Sequence, residues 1–277
     1  MSSEESRQVA LVTGAGRSQD AHGVGSATAM TLAGRGFSVA VVDIHGAAAG
    51  RTVDEIIRHG GHAFPVTADL ATWEGCTAAT EATLDRGSRL DVLVNNLAVV
   101  QPGTVLDISD EQWNRTILVN LTSAFRMSKL AVGHMKLSGG GSIVNITSIA
   151  GLRGGGDTVA YAASKAGLIG LTQDMAGSHG VDGIRVNAVA PGYLFTPMVA
   201  RFADTEAKRR VRRDVVALST EGTCWDVAEL VAFLSANDAR WITGAVIPVD
   251  AGAQAMQPLG VAARLGMLSG DSNTSSS

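Results

Sequence analysis

Tyr161 and Lys165 stand four residues apart in the run Tyr161-Ala-Ala-Ser-Lys165, and Ser148 stands thirteen residues before the tyrosine. Positions four apart share one face of a helix, so a phenol and an ammonium at this spacing can meet. A free tyrosine has a pKa of about 10 and is a poor acid–base catalyst at neutral pH. A neighbouring cation favours the phenolate and brings that value toward the working range, which is what a proton-transferring enzyme needs. The pair alone has little specificity, because Tyr and Lys fall at this spacing on many surface helices. Ser148 ends an Ile-Thr-Ser run and also reads as a plain turn residue.

A second constellation lies near the start of the chain. An apolar run enters Thr13-Gly14-Ala15-Gly16, and Gly23-Val24-Gly25 then opens an Ala-rich stretch. Glycines at such a turn let the backbone approach a pyrophosphate, whose charge is met by the N-terminus of the following helix. Asp43 ends the next apolar run, twenty residues after Gly23, where a carboxylate can hold the hydroxyls of an adenosine ribose. That carboxylate would repel a 2′-phosphate and favours NAD over NADP. Arg17 and His22, inside the turn, argue for the phosphorylated cofactor.

The elements that must position these groups alternate along the chain. Strands are expected over 9–12, 39–42, 63–66, 92–94, 143–146, 184–189 and 245–249, and several are apolar without polar alternation, as parallel strands covered on both faces are. Helices are expected over 25–34, 47–59, 74–86, 110–136, 159–178 and 225–236. This βαβα order predicts an α/β fold with a doubly wound parallel sheet of about seven strands, the Rossmann arrangement. No linker or repeat interrupts it, so residues 1–252 read as a single dinucleotide-binding catalytic domain. Residues 253–277 read as a C-terminal extension that packs on the body or a neighbouring subunit and is disordered from about residue 269, where serines accumulate.

Composition narrows the class of partner. A net charge of −4 lacks the basic footprint of a nucleic-acid binder. Charged residues are 17% of the 277, below the roughly 25% of ordinary globular chains, and apolar residues are 45%, which together predict a well-buried protein. No apolar run reaches the ~18 residues of a membrane span, and the acidic start lacks the character of a signal peptide. Cys76 and Cys224 are too few for a disulfide framework; buried free thiols and a cytoplasmic location are expected.

With these pieces placed, residues 7–252 resemble the short-chain dehydrogenase/reductase family. The family's Thr-Gly-x-x-x-Gly-x-Gly turn is similar to Thr13-Gly14 and Gly23-Val24-Gly25, and its Asn-Asn-Ala-Gly motif to Asn95-Asn96-Leu97-Ala98. Its helix asparagine is matched by Asn120, its serine by Ser148, its Tyr/Lys pair by Tyr161 and Lys165, and its Pro-Gly by Pro191-Gly192, followed by Thr196. Two departures stand out. Eight residues separate Gly14 from Gly23 where the family has three, and Leu97-Ala98 replaces Ala-Gly.

The resemblance implies hydride transfer between a nicotinamide and a carbon bearing oxygen. Tyr161 would be the acid–base, Ser148 would steady the substrate oxygen, Lys165 would tune the tyrosine and hold the nicotinamide ribose, and Asn120 would anchor a water that completes a proton relay. The cofactor set it implies is Gly14, Gly23, Val24, Gly25, Asp43, Asp69, Leu70, Asn96, Tyr161, Lys165, Pro191, Gly192 and Thr196. Asn95 is expected to be structural. No metal is expected. Family members are commonly homotetramers, so a homo-oligomer, dimer or tetramer, is expected through the helices over 110–136 and 159–178.

Substrate contacts are expected from Ser148 and Tyr161 together with Arg153, Tyr193, Phe195 and Met198, on loops beyond the strand ends. Their largely apolar character points to a small or medium hydrophobic alcohol or ketone. Residues 193–215 read as a lid over the site. The basic run Lys208 to Arg213 reads as a solvated helix face more readily than as a trap for an acidic substrate. The competing readings are an NADP-preferring carbonyl reductase, an enoyl reductase or dehalogenase on the same fold, and a dinucleotide sensor without turnover. The intact Ser148, Tyr161, Lys165 and Asn120 set disfavours the sensor.

Overall fold

The computed structural model describes residues 7–19, 21–197 and 205–265. Met198, Phe202 and the tail expected to be disordered lie outside the described residues. Seven strands are present: β1 (Val9–Thr13), β2 (Ser38–Asp43), β3 (His62–Thr67), β4 (Val92–Asn95), β5 (Gly141–Ile146), β6 (Ile184–Pro191) and β7 (Val246–Val249). They form one sheet in the order β3-β2-β1-β4-β5-β6-β7, with every neighbouring pair parallel. All seven expected strands are there. The helices are α1 (Val24–Gly34), α2 (Gly46–Arg58), α3 (Trp73–Gly87), α4 (Asp110–Ile117), α5 (Ser123–Leu137), α6 (Ile149–Leu152), α7 (Val159–His179), α8 (Glu206–Asp214), α9 (Cys224–Ser235) and α10 (Pro258–Arg264).

The strands are apolar throughout because helices cover both faces of the sheet. Side chains alternate between the faces. Ala10, Val12, Val39, Val41 and Val94 meet Leu32 of α1, Val53 and Ile56 of α2, and Val231 and Leu234 of α9. Leu11, Ala40, Val42 and Leu93 face the other way, toward Cys76 and Ala79 of α3, Met127 and Met135 of α5, and Met175 of α7. Each large aliphatic side chain so buried contributes about 1.5–3 kcal/mol. Cys76 and Cys224 are buried free thiols. Pro65 lies in β3, which pairs with β2 alone; a residue without an N–H belongs on such an edge.

The single helix expected over 110–136 is broken. A π-helical turn (Leu118–Thr122) separates α4 from α5, and it carries the buried Asn120. Hydrophobic periodicity cannot show a one-residue bulge of this kind, which recurs at functional sites. The short α6 and α10 were equally invisible to periodicity. No helix among the described residues is long and apolar enough to cross a membrane.

A chain of buried amides and hydroxyls ties the two central strands to the helices behind them. Asn95 Nδ2 donates to Ser128 Oγ at 3.0 Å and to Asn145 Oδ1 at 2.8 Å. Asn145 Nδ2 donates in turn to Thr172 Oγ1 at 2.9 Å. Opening this chain strands buried polar groups, so Asn145→Ala is expected to lose about 1–3 kcal/mol of stability in urea unfolding. Unchanged stability would show that the chain supports nothing.

Candidate active site

The sheet order reverses between β1 and β4: the chain first builds outward through β2 and β3, then returns to lay β4 beside β1. A crevice opens at the carboxyl ends of the strands at such a point. Its two sides are stitched together. Thr13 Oγ1 donates to the Val94 carbonyl at 3.2 Å and accepts from Asn96 N at 2.9 Å and Leu97 N at 3.1 Å. Asn96 Nδ2 donates to the carbonyls of Thr13 and Gly14, both at 3.0 Å. Gly14 has φ +60°, and a Cβ on Gly25 would lie 2.3 Å from the Gly14 oxygen and 2.5 Å from Asn96 Nδ2. No side chain would fit there, so the α1 N-terminus presses directly onto the turn. That N-terminus carries no side-chain cap.

Asp43 closes one end of the crevice. Its Oδ2 accepts from Gly16 N and its Oδ1 from His45 N, each at 2.9 Å. Gly16 runs so close that a Cβ would sit 2.6 Å from Asp43 Oδ2, which gives this glycine the role left open in the sequence. Two basic side chains of the longer turn, Arg17 and His22, reach α2. Arg17 Nη1 pairs with Glu55 Oε2 at 3.0 Å, and His22 Nε2 stands 3.4 Å from the same oxygen.

The other end holds the expected chemical groups. Tyr161 and Ser148 face the same cavity, and Ser148 Oγ accepts from Ala150 N at 3.1 Å and caps α6. Lys165 is buried, and its Nζ donates to the Ile146 carbonyl at 2.7 Å while standing 5.6 Å from the Tyr161 ring centre. Thr147 Oγ1 donates to the Lys165 carbonyl at 2.8 Å. Gly151 lets α6 approach α7, since a Cβ there would lie 2.7 Å from the Lys165 carbonyl carbon. That close approach lays the helix that Ser148 caps against the helix that carries Tyr161, and only a lone glycine marks it in the sequence.

Asn120 is held by three side-chain hydrogen bonds. Its Nδ2 donates to the Val99 carbonyl at 2.9 Å and to Ser164 Oγ at 3.0 Å, and its Oδ1 accepts from Val99 N at 2.8 Å. Both amide hydrogens are therefore engaged, and the side chain ties the loop after β4 to α7.

A cavity of about 450 Å³ joins the two ends. Gly14, Gly23, Val24, Gly25, Asp43, Asn96, Ser148, Tyr161, Lys165, Pro191, Gly192 and Thr196 line it, as the sequence predicts. Asp69 and Leu70 line an adjoining recess that shares Gly14, Asp43 and Leu97 with it. Leu194, in the loop expected to meet substrate, is a wall, and Ser18, His45, Thr147 and Pro197 are walls that the sequence did not reveal. Three substrate residues are not among the walls. Arg153 is exposed and donates to the Gln254 carbonyl. Tyr193 faces a separate hollow bounded by Leu218 and Thr220. Phe195 is held under the Arg209 guanidinium at 4.4 Å, and Arg209 pairs with Glu221. The basic run is largely matched by acids in this way, with Arg210 on Asp214 and Arg213 on Glu206.

The family model described as enoyl-(acyl carrier protein) reductase matches residues 19–254. A cyclohexanol dehydrogenase of Acinetobacter sp. (strain SE19) is 38% identical over 251 residues, spanning 90% of this chain and 96% of that one. A 3-oxoacyl-(acyl-carrier-protein) reductase of Synechocystis sp. is also 38% identical, over 247 residues, spanning 88% and 96%. A crystal structure described as a short-chain dehydrogenase/reductase from Burkholderia xenovorans superposes with a TM-score of 0.85 at 36% identity, covering 90% of this chain and 97% of that one. The chain belongs to the short-chain dehydrogenase/reductase family.

As a short-chain dehydrogenase/reductase it is an NAD(P)-dependent oxidoreductase acting on CH–OH groups. The residues fit a nicotinamide dinucleotide: a glycine cradle that a Cβ would fill, an uncapped helix N-terminus, and a carboxylate at the far end. Burial raises the Tyr161 pKa, and the Ser148 hydrogen bond offsets only part of that rise. The Lys165 ammonium is engaged by the Ile146 carbonyl, and burial pushes its own pKa down to about 7.

A lysine whose pKa falls on folding is protonated in the unfolded chain and neutral in the folded one between about pH 7 and its ordinary value of ~10.4. The unfolded state binds more protons there, so this group's contribution to stability rises with pH by up to about 1.4 kcal/mol per unit. Lys165→Met removes the group. The stability of the parent relative to this variant is expected to improve from pH 7 to pH 9 in denaturant titrations; a difference that does not move with pH would show that Lys165 stays charged.

Proposed function

We propose that the enzyme is an NAD-dependent dehydrogenase that interconverts an apolar secondary alcohol and its ketone, with Tyr161 as the acid–base. The observation that carries this reading is that Ser148, Tyr161 and Lys165 line one cavity together with Asp43. A bound nicotinamide dinucleotide supplies the hydride acceptor or donor. Gly14, Gly23, Val24, Gly25, Asp43, Asn96, Lys165, Pro191, Gly192 and Thr196 would hold it, with Asp69 and Leu70 at its adenine end. Tyr161 takes the alcohol proton in oxidation and returns it in reduction. Ser148 donates to the substrate oxygen and steadies charge developing there, as preorganised donors do in a water-poor site. Lys165, near its pKa at neutral pH, can pass the proton onward. Asn120 acts as a positioning residue, because its side chain is engaged by Val99 and Ser164.

The carboxylate at Asp43 supports NAD, since it would repel a 2′-phosphate. Leu194 and Pro197 in the cavity wall support an apolar substrate, and a relative that acts on cyclohexanol supports a small alicyclic one. The close Tyr161–Lys165 spacing weighs against an enoyl reductase, in spite of the wording of the matching family model.

The test is NADH formation followed by absorbance over alicyclic and open-chain secondary alcohols, with NAD or NADP, and with an enoyl thioester assayed in reduction. Turnover of an alicyclic alcohol with NAD is expected. Tyr161→Phe should lower it by about 10³-fold, within the range for loss of a general acid–base, while NADH affinity is retained. Substantial turnover by the variant would sink the role given to Tyr161.

Homo-oligomerisation is part of the same reading. It is supported by Trp113 on α4 and Phe125 on α5, large apolar side chains left 38% and 47% exposed. Light scattering on a size-exclusion column should give a dimer or tetramer of the 28.4 kDa chain; a monomer mass would refute it.

A further inference from the structure

We propose that Glu55 sets the cofactor preference of this enzyme by withholding Arg17 from the ribose end of the cavity. The inference rests on the NAD reading above and names a residue on α2 outside the cavity wall.

Asp43 occupies the position that meets the ribose hydroxyls, and the backbone of Gly16 lies across it with its N–H on the carboxylate. The next residue is Arg17. An arginine so placed is what accommodates a 2′-phosphate in dinucleotide folds. Here it faces away. Its Nη1 pairs with Glu55 Oε2 at 3.0 Å, and the two side chains are only 26% and 15% exposed, so water screens the pair weakly. Its Nε is buried without a hydrogen-bond partner among the described residues, so the pose sacrifices one donor to satisfy Glu55.

The backbone of Arg17 is also clamped to α2. Arg17 N donates to the Ala48 carbonyl at 3.1 Å, and its own carbonyl accepts from Arg51 Nε at 3.1 Å and Nη2 at 2.7 Å. The remaining basic group of the turn is held by the same carboxylate. His22 Nε2 is 3.4 Å from Glu55 Oε2, its Nδ1 is 3.3 Å from Ser26 Oγ, and its ring packs on Trp225 of α9 with centres 5.2 Å apart. Burial lowers the His22 pKa against the pull of Glu55, so this ring adds no cation at neutral pH. One carboxylate thus balances the cationic side of the insertion. Removing its charge releases the Arg17 side chain, which stands one residue from the backbone N–H that meets Asp43.

The experiment is titration of NADH and NADPH into the parent, Glu55→Gln, Arg17→Gln and the double variant, read by calorimetry so that no turnover is needed. The parent should bind NADH more tightly. Glu55→Gln should gain about tenfold or more in NADPH affinity, the scale of a new charge-assisted phosphate contact, with NADH affinity nearly unchanged. The gain should vanish in the double variant, and Arg17→Gln alone should move neither cofactor. An unmoved NADPH-to-NADH ratio in Glu55→Gln, or a gain that survives in the double variant, overturns the proposal and leaves the NAD reading standing. A parent that prefers NADPH overturns both. Should Glu55→Gln not fold, a loss of NADPH affinity in Arg17→Gln would show that Arg17 already serves the phosphate and would overturn the proposal by itself.

Discussion

The catalytic end of this molecule is organised around one buried amine. Lys165 reaches from α7 to the Ile146 carbonyl at the end of β5, at 2.7 Å, with no solvent to share its charge. Hiding an ammonium is costly unless it is hydrogen-bonded, and the surroundings supply that bond and hold the residue by its backbone as well. Thr147 takes the Lys165 carbonyl, and Gly151 allows α6 to lie against it. Ser148, the cap of α6, is laid beside the helix that carries Tyr161 as a consequence. The positions of the serine and the tyrosine therefore depend on how α7 is anchored to the sheet.

The same contacts explain why the phenol is not already activated. Its pKa is raised by burial, and the nearest cation is directed at a carbonyl rather than at the phenol oxygen. A lysine whose pKa lies about 7 can change charge near neutrality. It is suited to carrying a proton between tyrosine and the outside.

The two ends of the cavity obey different constraints. At the phosphate turn the controlling quantity is space: Gly16 and Gly25 sit where a single methyl group would collide with carboxylate, backbone or amide, and Gly14 holds a φ of +60°. Arg17 and His22 of the longer turn lie against α2 and α9. Glu55, Arg51 and Trp225 receive them. At the substrate end, the residues chosen from their loop positions were drawn elsewhere. Phe195 stacks under Arg209, and Arg153 turns to the C-terminal segment.

Much of this was legible in the chain. Apolar runs and Gly-rich turns determined seven parallel strands and their helices, because burial on both faces of a sheet leaves a mark on every residue of a strand. The Tyr161–Lys165 spacing, Ser148, Asp43 and the glycines determined which chemistry the site would host, because those groups carry it in their own atoms. Tertiary structure alone decided the π turn at Asn120, the approach of α6 to α7 at Gly151, the walls at His45 and Pro197, and the capture of Arg17 by Glu55. Each depends on a contact between residues distant in sequence, or on a single-residue irregularity. Neither repeats with a period, and the direction in which a long side chain points is set by the partner that folding brings to it.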